Sequence, residues 1–510
     1  MKNTFTQSMA WLHTWGGLLF GWLLFVIFLT GTLAVFDQEI DNWMRPEVPL
    51  RTVSQAEAAE RALTWLGEHK AGERIWSISL PSERAPDLVA STGGRRHGSG
   101  QHLDPATGEP IAVRETAGGL FFFRFHFTLD LPRNIGIWVV GLAAMAMLAA
   151  LVSGIVIHKK IFKEFFTFRP GKGQRSWLDG HNASAVLLLP FHLMISYTGL
   201  VIFFLIYMPA AVDALFEGDF RAYAEAQHGH HHEPSPRGPV AAAPLTDLGP
   251  VLAEAERRMG PVGGVVIQNP GRADARIEVR RVLGNRIALT KGQNMVFDGV
   301  TGELLEGPPE MRAAQLTQRV MAGLHFAQFG GYPMRWLYFF CGLVSSAMIA
   351  TGLVLFTVKR RRRPDAEGAV AAVLYRIAEP LNVAVVAGLT LACVGLLWAN
   401  RLLPVELTQR GTWEVRVFFA LWVLSLVHAW LRPYLTAWRE QLGLAALLCL
   451  ALPLASFLRL EAPWAERNRL LLELTAMACG LLLAWTAYRV RPAVERSAAR
   501  RPSRTLAEVN

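Results

Sequence analysis

Eight apolar runs dictate what this chain can become: they fall at about 11–36, 136–158, 183–207, 333–357, 380–400, 413–431, 440–459 and 469–488. A helix of about 20 apolar residues crosses a hydrocarbon core of roughly 30 Å. In lipid, only helices and closed barrels satisfy their own backbone polar groups. The runs therefore predict an all-α polytopic membrane protein with about eight transmembrane helices. Composition agrees, because 52% of the 510 residues are apolar and only 18% charged.

The net charge of +10 is concentrated beyond particular runs, in HKKIFKEFFTFRPGKGQR, KRRRRP and YRVRPAVERSAARRPSR. That is orientation chemistry rather than a nucleic-acid surface. It predicts that these stretches and both termini are cytoplasmic, in a bacterial inner membrane, with two large loops in the periplasm. The first run is followed by AVFDQEIDNW, without a small-x-small cleavage site, and is expected to stay as a helix. Four cysteines, Cys341, Cys393, Cys449 and Cys479, sit inside the runs without a CxxC pair and read as buried apolar residues.

These boundaries predict a first helix at 1–36 and a periplasmic module at 37–125. Helices two and three with their basic loop occupy 126–207, and a second module 208–324. The fourth helix spans 325–360, a linker 361–379, four further helices 380–490 and a basic tail 491–510. Each module shows a helical stretch and then alternating segments: SQAEAAERALTWL, RIWSISL and DLVAST in one; LGPVLAEAERRM, VGGVVIQ, ARIEVRRV and RIALT in the other. Each closes on a matching turn, DPATGE at 104–109 and DGVTGE at 298–303, residues that suit a tight reversal between strands. The modules are thus expected to be two small α+β units.

The turns expose an internal duplication. Placing His13 over His181 puts Thr30-Gly31 over Thr198-Gly199, and placing His126 over His325 brings Gly154 near Gly352. The first four helices then read as two copies of helix, loop module, helix, and repeat interfaces are where membrane proteins often build their sites.

Six histidines lie in or beside those four helices: His13, His126, His158, His181, His192 and His325. Ionisable residues inside a membrane are costly and mark function. Histidine is an efficient axial ligand for haem iron, and a haem ring wants apolar walls between packed helices. Zinc would want four close ligands, often thiolates. The 11 residues between His181 and His192 are about three turns, leaving both rings on one face about 16 Å apart, a spacing that suits two stacked haems. Two ligand sets remain open. The symmetric one pairs His13 with His181 and His126 with His325. The rival pairs His192 with an outer histidine and His158 with His13 or His181. Arg124, Arg133 and Arg335 are placed either to neutralise haem propionates or to anchor helix ends in the interface. His428, beside Trp430 and Arg432, reads as interfacial and stays outside the site. The insertion QHGHHHEPSPRG at 227–238, with His228, His230, His231 and His232, reads as a solvated segment with incidental metal affinity.

A helix opening WLHTWGGLLFGWLLFVIFLTGTLAVF, an outer FHFTLDL, an inner GHN and an outer LHFAQFGG together resemble the PepSY-associated transmembrane helix family over about residues 1–360. Some members are inner-membrane, haem-containing reductases of ferric siderophores. The resemblance implies PepSY-like modules, a four-helix core holding two b-type haems, and a ferric siderophore as substrate. His13, His126, His181 and His325 match the family's positions. The last four helices exceed the minimal pattern, and the electron donor is either a membrane quinol or a cytoplasmic flavoprotein. The chain has no glycine fingerprint for a nicotinamide cofactor and no flavin motif. Two other readings compete: a haem-dependent reductase of another periplasmic metal such as copper, and a non-enzymatic binding or regulatory protein on a membrane anchor.

Overall fold

The computed structural model describes residues 4–49, 53–93, 100–158, 169, 173–223, 240–284, 286–290, 292–360, 368–459 and 467–490. The histidine-rich insertion, the tail 491–510 and most of the three basic stretches lie outside the described residues.

The chain opens with α1 (Phe5–Ala34), capped by the Thr4 hydroxyl accepting from the Gln7 N–H at 3.3 Å. Next come α2 (Asp37–Met44), α3 (Gln55–His69) and strands β1 (Ile75–Ser79), β2 (Leu88–Thr92), β3 (Gln101–Leu103) and β4 (Pro110–Ile111). A short α4 (Leu120–Thr128) leads into α5 (Arg133–Ile157). Then follow α6 (Gln174–Leu187), α7 (Leu189–Ile202) and α8 (Leu248–Met259). Strands β5 (Val262–Gln268), β6 (Arg276–Arg281), β7 (Asn294–Asp298) and β8 (Leu304–Glu306) precede α9 (Ala313–Phe326) and α10 (Gly331–Arg360). The remainder is α11 (Ala369–Val383), a π-helical turn (Ala384–Gly388), α12 (Leu389–Leu402), α13 (Arg410–Leu431), α14 (Tyr434–Arg459) and α15 (Arg467–Arg489).

Among the described residues, seven helices are long and apolar enough to cross a membrane, α11 to α12 counting as one, and α6 with α7 makes an eighth if that bent pair is one span. The protein is a multi-pass membrane protein with a small antiparallel sheet. The predicted spans are recovered with shifted ends. The third begins at Gln174 rather than 183 and breaks by 66° at Leu188. Pro190, in the first turn of α7, explains the break, because it offers no N–H and its ring crowds the preceding turn. Likewise α11 starts at Ala369, inside the stretch expected to be a linker.

The two loop regions do not fold apart as two separate units. Their strands form one eight-stranded antiparallel sheet in the order β4-β3-β2-β1-β5-β6-β7-β8, with β1 and β5 joined across the middle from Ile75–Gln268 to Ser79–Gly264. Pairing β1 with β5 removes two edges that would otherwise be left open. Helices α3 and α8 share a core with the sheet, built on Leu66, Trp76, Ile78, Ile267, Val279 and Phe297. Both turns form as read. In each, the aspartate carboxylate (Asp104 or Asp298) accepts a backbone N–H two residues on, at 2.7 and 2.9 Å, and Gly108 and Gly302 supply positive φ of 79° and 75°. One predicted strand does not form: residues 286–288 are bends and 289–290 are irregular. The Leu289 N–H instead bonds to the Arg319 carbonyl of α9 at 2.9 Å, and NMVFD takes the strand position as β7.

One apolar core runs through α1, α2, α4, α5 and α10 and on into α11–α14. Where the sheet meets the helices, Arg84 forms a bidentate pair with Glu39 at 2.7 and 2.8 Å and also reaches Asp37 and the Val35 carbonyl, each at 3.2 Å. Burial pushes the Asp37 carboxyl above its ordinary range, against the pull of Arg84. Arg84→Met leaves the buried Glu39 and the half-buried Asp37 without their cation. Breaking a buried pair by removing one partner costs about 3–5 kcal/mol, and that loss is expected as a lowered thermal unfolding midpoint of the detergent-solubilised protein.

Candidate functional site

Two histidine pairs stand at different depths in the bundle. His13 of α1 faces His181 of α6 with ring centroids 6.2 Å apart. His126 of α4 faces His325 of α9 with centroids 6.0 Å apart. The symmetric pairing is the one the fold brings together. His126 and His325 both sit in the last turn of a short helix that stops on a left-handed residue, Leu129 (φ 55°) or Ala327 (φ 51°). These two histidines therefore precede the membrane spans α5 and α10 rather than opening them, and the boundaries expected at 126 and 325 cut through α4 and α9.

Each ring is anchored through Nδ1. His13 donates to the Ala150 carbonyl at 2.9 Å, His181 to the Met348 carbonyl at 2.8 Å and His126 to the Ile27 carbonyl at 2.7 Å. His325 Nδ1 lies 3.1 Å from the Thr198 hydroxyl, whose own proton goes to the Met194 carbonyl at 2.7 Å, so Thr198 accepts. These acceptors place the proton of each neutral imidazole on Nδ1 and leave the Nε2 lone pair available, which is the arrangement of a histidine held ready for a metal. All four residues are half-buried.

A glycine makes room for each ring. A Cβ on Gly154 would meet His13 Cε1 at 3.3 Å, and one on Gly352 would meet His181 Cε1 at 3.0 Å. On Gly199 it would meet His325 Cε1 at 3.0 Å, and on Gly31 it would meet His126 Nδ1 at 2.6 Å. The sequence offered these glycines as markers of duplication; their role as seats for the rings became visible only in three dimensions. Along α1, His13 and the Ile27 carbonyl that anchors His126 are 14 residues apart, or about 21 Å at 1.5 Å per residue.

The remaining candidates are placed differently. His192 is wholly buried and faces no other histidine; its Nε2 lies 2.9 Å from the Ser345 hydroxyl, which donates to the Cys341 carbonyl. Phe28 and Phe191 pack edge-on against its ring. The expectation that His181 and His192 share one helix face fails, because the break at Leu188 separates them. His158 is the C-cap of α5, near the His13 end of the bundle, with its N–H on the Gly154 carbonyl; the fold does not pair it with His13 or His181 as a facing ring. Arg335 is buried, with Nη1 3.2 Å from the Val35 carbonyl, whereas Arg124 and Arg133 are exposed. His428 bonds to Glu440 at 2.8 Å and Gln441 at 3.1 Å, far along the chain in α13 and α14.

Among the described residues, no group of three or more His, Cys, Asp or Glu converges as a metal cage. Among these residues each pair therefore offers two ring nitrogens, too few by themselves to enclose a bare metal ion.

No curated protein matches the chain. A family model described as the PepSY-associated TM region matches residues 10–359, a stretch that contains both histidine pairs, all four glycines and the whole sheet. The chain belongs to the PepSY-associated transmembrane family.

Proposed function

We propose that this is a di-haem electron-transfer protein of the bacterial inner membrane that reduces ferric siderophore iron on the periplasmic side. The observation that carries the reading is the pair of facing, Nδ1-anchored imidazoles repeated at two depths, with two protein nitrogens at each. Two b-type haems held there would supply reversible one-electron iron chemistry. His13 and His181 would hold the cytoplasmic-side haem, and His126 and His325 the one beside the sheet. The polypeptide's part is to fix the four rings, keep their protons on Nδ1 and wall the sites with apolar side chains. It also carries, at the sheet end, the module against which a ferric chelate would dock. The matching contacts of the two halves support descent from a duplicated unit, and the two halves of the sheet support two fused PepSY-like modules.

The substrate chemistry is coherent. Hard oxygen donors hold Fe(III) tightly and Fe(II) far more weakly, so one electron passed to the chelate frees the metal and leaves the chelator intact. A membrane quinol or a cytoplasmic flavoprotein would supply that electron.

The test is the visible spectrum of detergent-purified protein from haem-replete cells, oxidised and then reduced with dithionite. A Soret band that sharpens and shifts, with b-type α bands in the reduced form and about two haems per chain, is expected. Protein lacking these bands overturns the reading. Stopped-flow reoxidation of the reduced protein by ferric hydroxamate and catecholate complexes then tests the acceptor.

A further inference from the structure

The last four helices meet the rest of the chain at several places, Trp22 with Asn382 and Trp43 with Glu473 among them, and one junction lies where α4 begins. The segment leading into α4 is held by one carboxylate, Glu414 of α13, which is fully buried. Its Oε2 accepts from the Thr116 hydroxyl at 2.7 Å and from the Ala117 N–H at 2.8 Å. Its Oε1 accepts from Asn400 Nδ2 at 2.9 Å and from the equally buried Arg410. Arg410 also donates to the Glu115 and Pro404 carbonyls, both at 3.1 Å, and to the Asn400 carbonyl. Every oxygen of the carboxylate is therefore used, and the donors come from three separate stretches of chain.

The fit around this segment is tight on two sides. A Cβ on Gly411, in the first turn of α13, would meet Ala117 N and the Thr116 carbonyl carbon at 3.0 Å. On the other side, a Cβ on Gly119 would lie 1.8 Å from the Asp37 carbonyl of α2, and one on Gly118 2.0 Å from Asp41. One turn further on, Phe121 and Phe125 of α4 pack edge-on against Phe418 at 5.0 and 5.5 Å, and Phe125 continues onto Phe419 and Trp422. His126 is the next residue.

Its counterpart helix is held by other means. In α9 the Ile287 carbonyl lies in the space beside Gly323, the Leu289 N–H bonds to the Arg319 carbonyl at 2.9 Å, and Tyr338 reaches the Leu324 carbonyl at 2.6 Å. All of these come from the second loop region or α10, and the residues leading into α9 are mostly exposed.

We infer that α13 is a brace for the first histidine arm, with Glu414, Arg410 and Phe418 as positioning residues that fix α4, and so His126, through the buried Glu414–Thr116–Ala117 junction. The extra four helices thus act on one of the two histidines beside the sheet and not on the other. Electrostatics favours such a junction, because a buried carboxylate is stable only when fully hydrogen-bonded and paired.

The test uses the full-length protein in detergent, with hydrogen–deuterium exchange read on peptides covering 120–128 and 313–326. Glu414→Ala is expected to speed exchange in 120–128 at least tenfold and leave 313–326 within twofold of the parent. Thr116→Val, which removes one hydroxyl and conserves shape, is expected to give a smaller increase of the same pattern, and it keeps the test open if Glu414→Ala fails to fold. Glu414→Asp should recover part of the protection. Unchanged exchange at 120–128 in both Thr116→Val and Glu414→Ala overturns the brace, and so does an equal rise in both peptides.

A second arm rests on the di-haem reading. In haem-loaded Thr116→Val, electron paramagnetic resonance should show one of two low-spin signals shifted and the other unmoved; both moving together overturns the brace. If the parent protein binds no haem, the function proposed above fails, while the exchange result still decides the brace.

Discussion

His181→Ala and His325→Ala are each expected to leave about one haem per chain, against two in the parent and in His192→Ala. His181 and His325 belong to different facing pairs, each anchored through Nδ1 by an acceptor from another element, Met348 or Thr198. Removing either ring takes away one of only two protein nitrogens at its site and leaves the partner, His13 or His126, without its opposite number. The second site is about 21 Å away along α1 and shares none of these contacts, so it should be unaffected. His192 supplies the contrast. It is also a membrane histidine, but its Nε2 is committed to Ser345 and no imidazole faces it. His192→Ala should cost stability, about 2–4 kcal/mol for a buried ring and its hydrogen bond, with haem content unchanged. Haem quantified as the pyridine complex against protein mass checks all three. Full haem content in both His181→Ala and His325→Ala would defeat the pairing.

Much of this architecture was legible in the residues, for identifiable reasons. Span number follows from apolar length alone, since a bilayer demands about 20 such residues per crossing. The DPATGE and DGVTGE turns were readable because a carboxylate, a hydroxyl and a glycine at fixed offsets satisfy one local bonding pattern, and both turns carry it out identically. The symmetric histidine pairs could be proposed because they stand at equal offsets from the Thr-Gly markers and nearly equal offsets from the Gly markers.

One miss was local, and the rest were set by contacts remote in sequence. The reading of 177–199 as one straight helix passed over Pro190, whose consequence is the 66° break. The union of the loop modules depends on β1 finding β5, almost 190 residues away, and edge pairing leaves little trace in either strand's own pattern. RIALT alternates like a strand, yet it lies against α9, where Gly323 admits the Ile287 carbonyl. The junction between α13 and the segment before α4 was invisible for the same reason: Glu414 makes sense only beside Thr116 and Ala117, some 300 positions earlier.

Gly31→Ala is expected to abolish the site beside the sheet, whereas Gly154→Ala should be tolerated, although both add the same methyl group beside a histidine. At Gly31 the new carbon would lie 2.6 Å from His126 Nδ1 and 2.7 Å from Cε1. Real carbon contacts need about 3.5–4.0 Å, so the ring must retreat by roughly 1 Å. It cannot do so freely, because the same nitrogen holds the Ile27 carbonyl at 2.7 Å, one turn below Gly31 on α1. Moving the ring breaks that bond, frees the imidazole to change tautomer and spoils the 6.0 Å register with His325. Overpacking of this kind costs about 1–3 kcal/mol, and a metal site tolerates still less displacement. At Gly154 the nearest atom is His13 Cε1 at 3.3 Å, and a few tenths of an ångström of relaxation suffice while Nδ1 keeps its bonds to Ala150 and Ser153. The measurement is haem stoichiometry together with low-spin resonance signals: one haem and one signal for Gly31→Ala, two of each for Gly154→Ala. Two haems with unaltered signals in Gly31→Ala would show that His126 does not need its seat on Gly31.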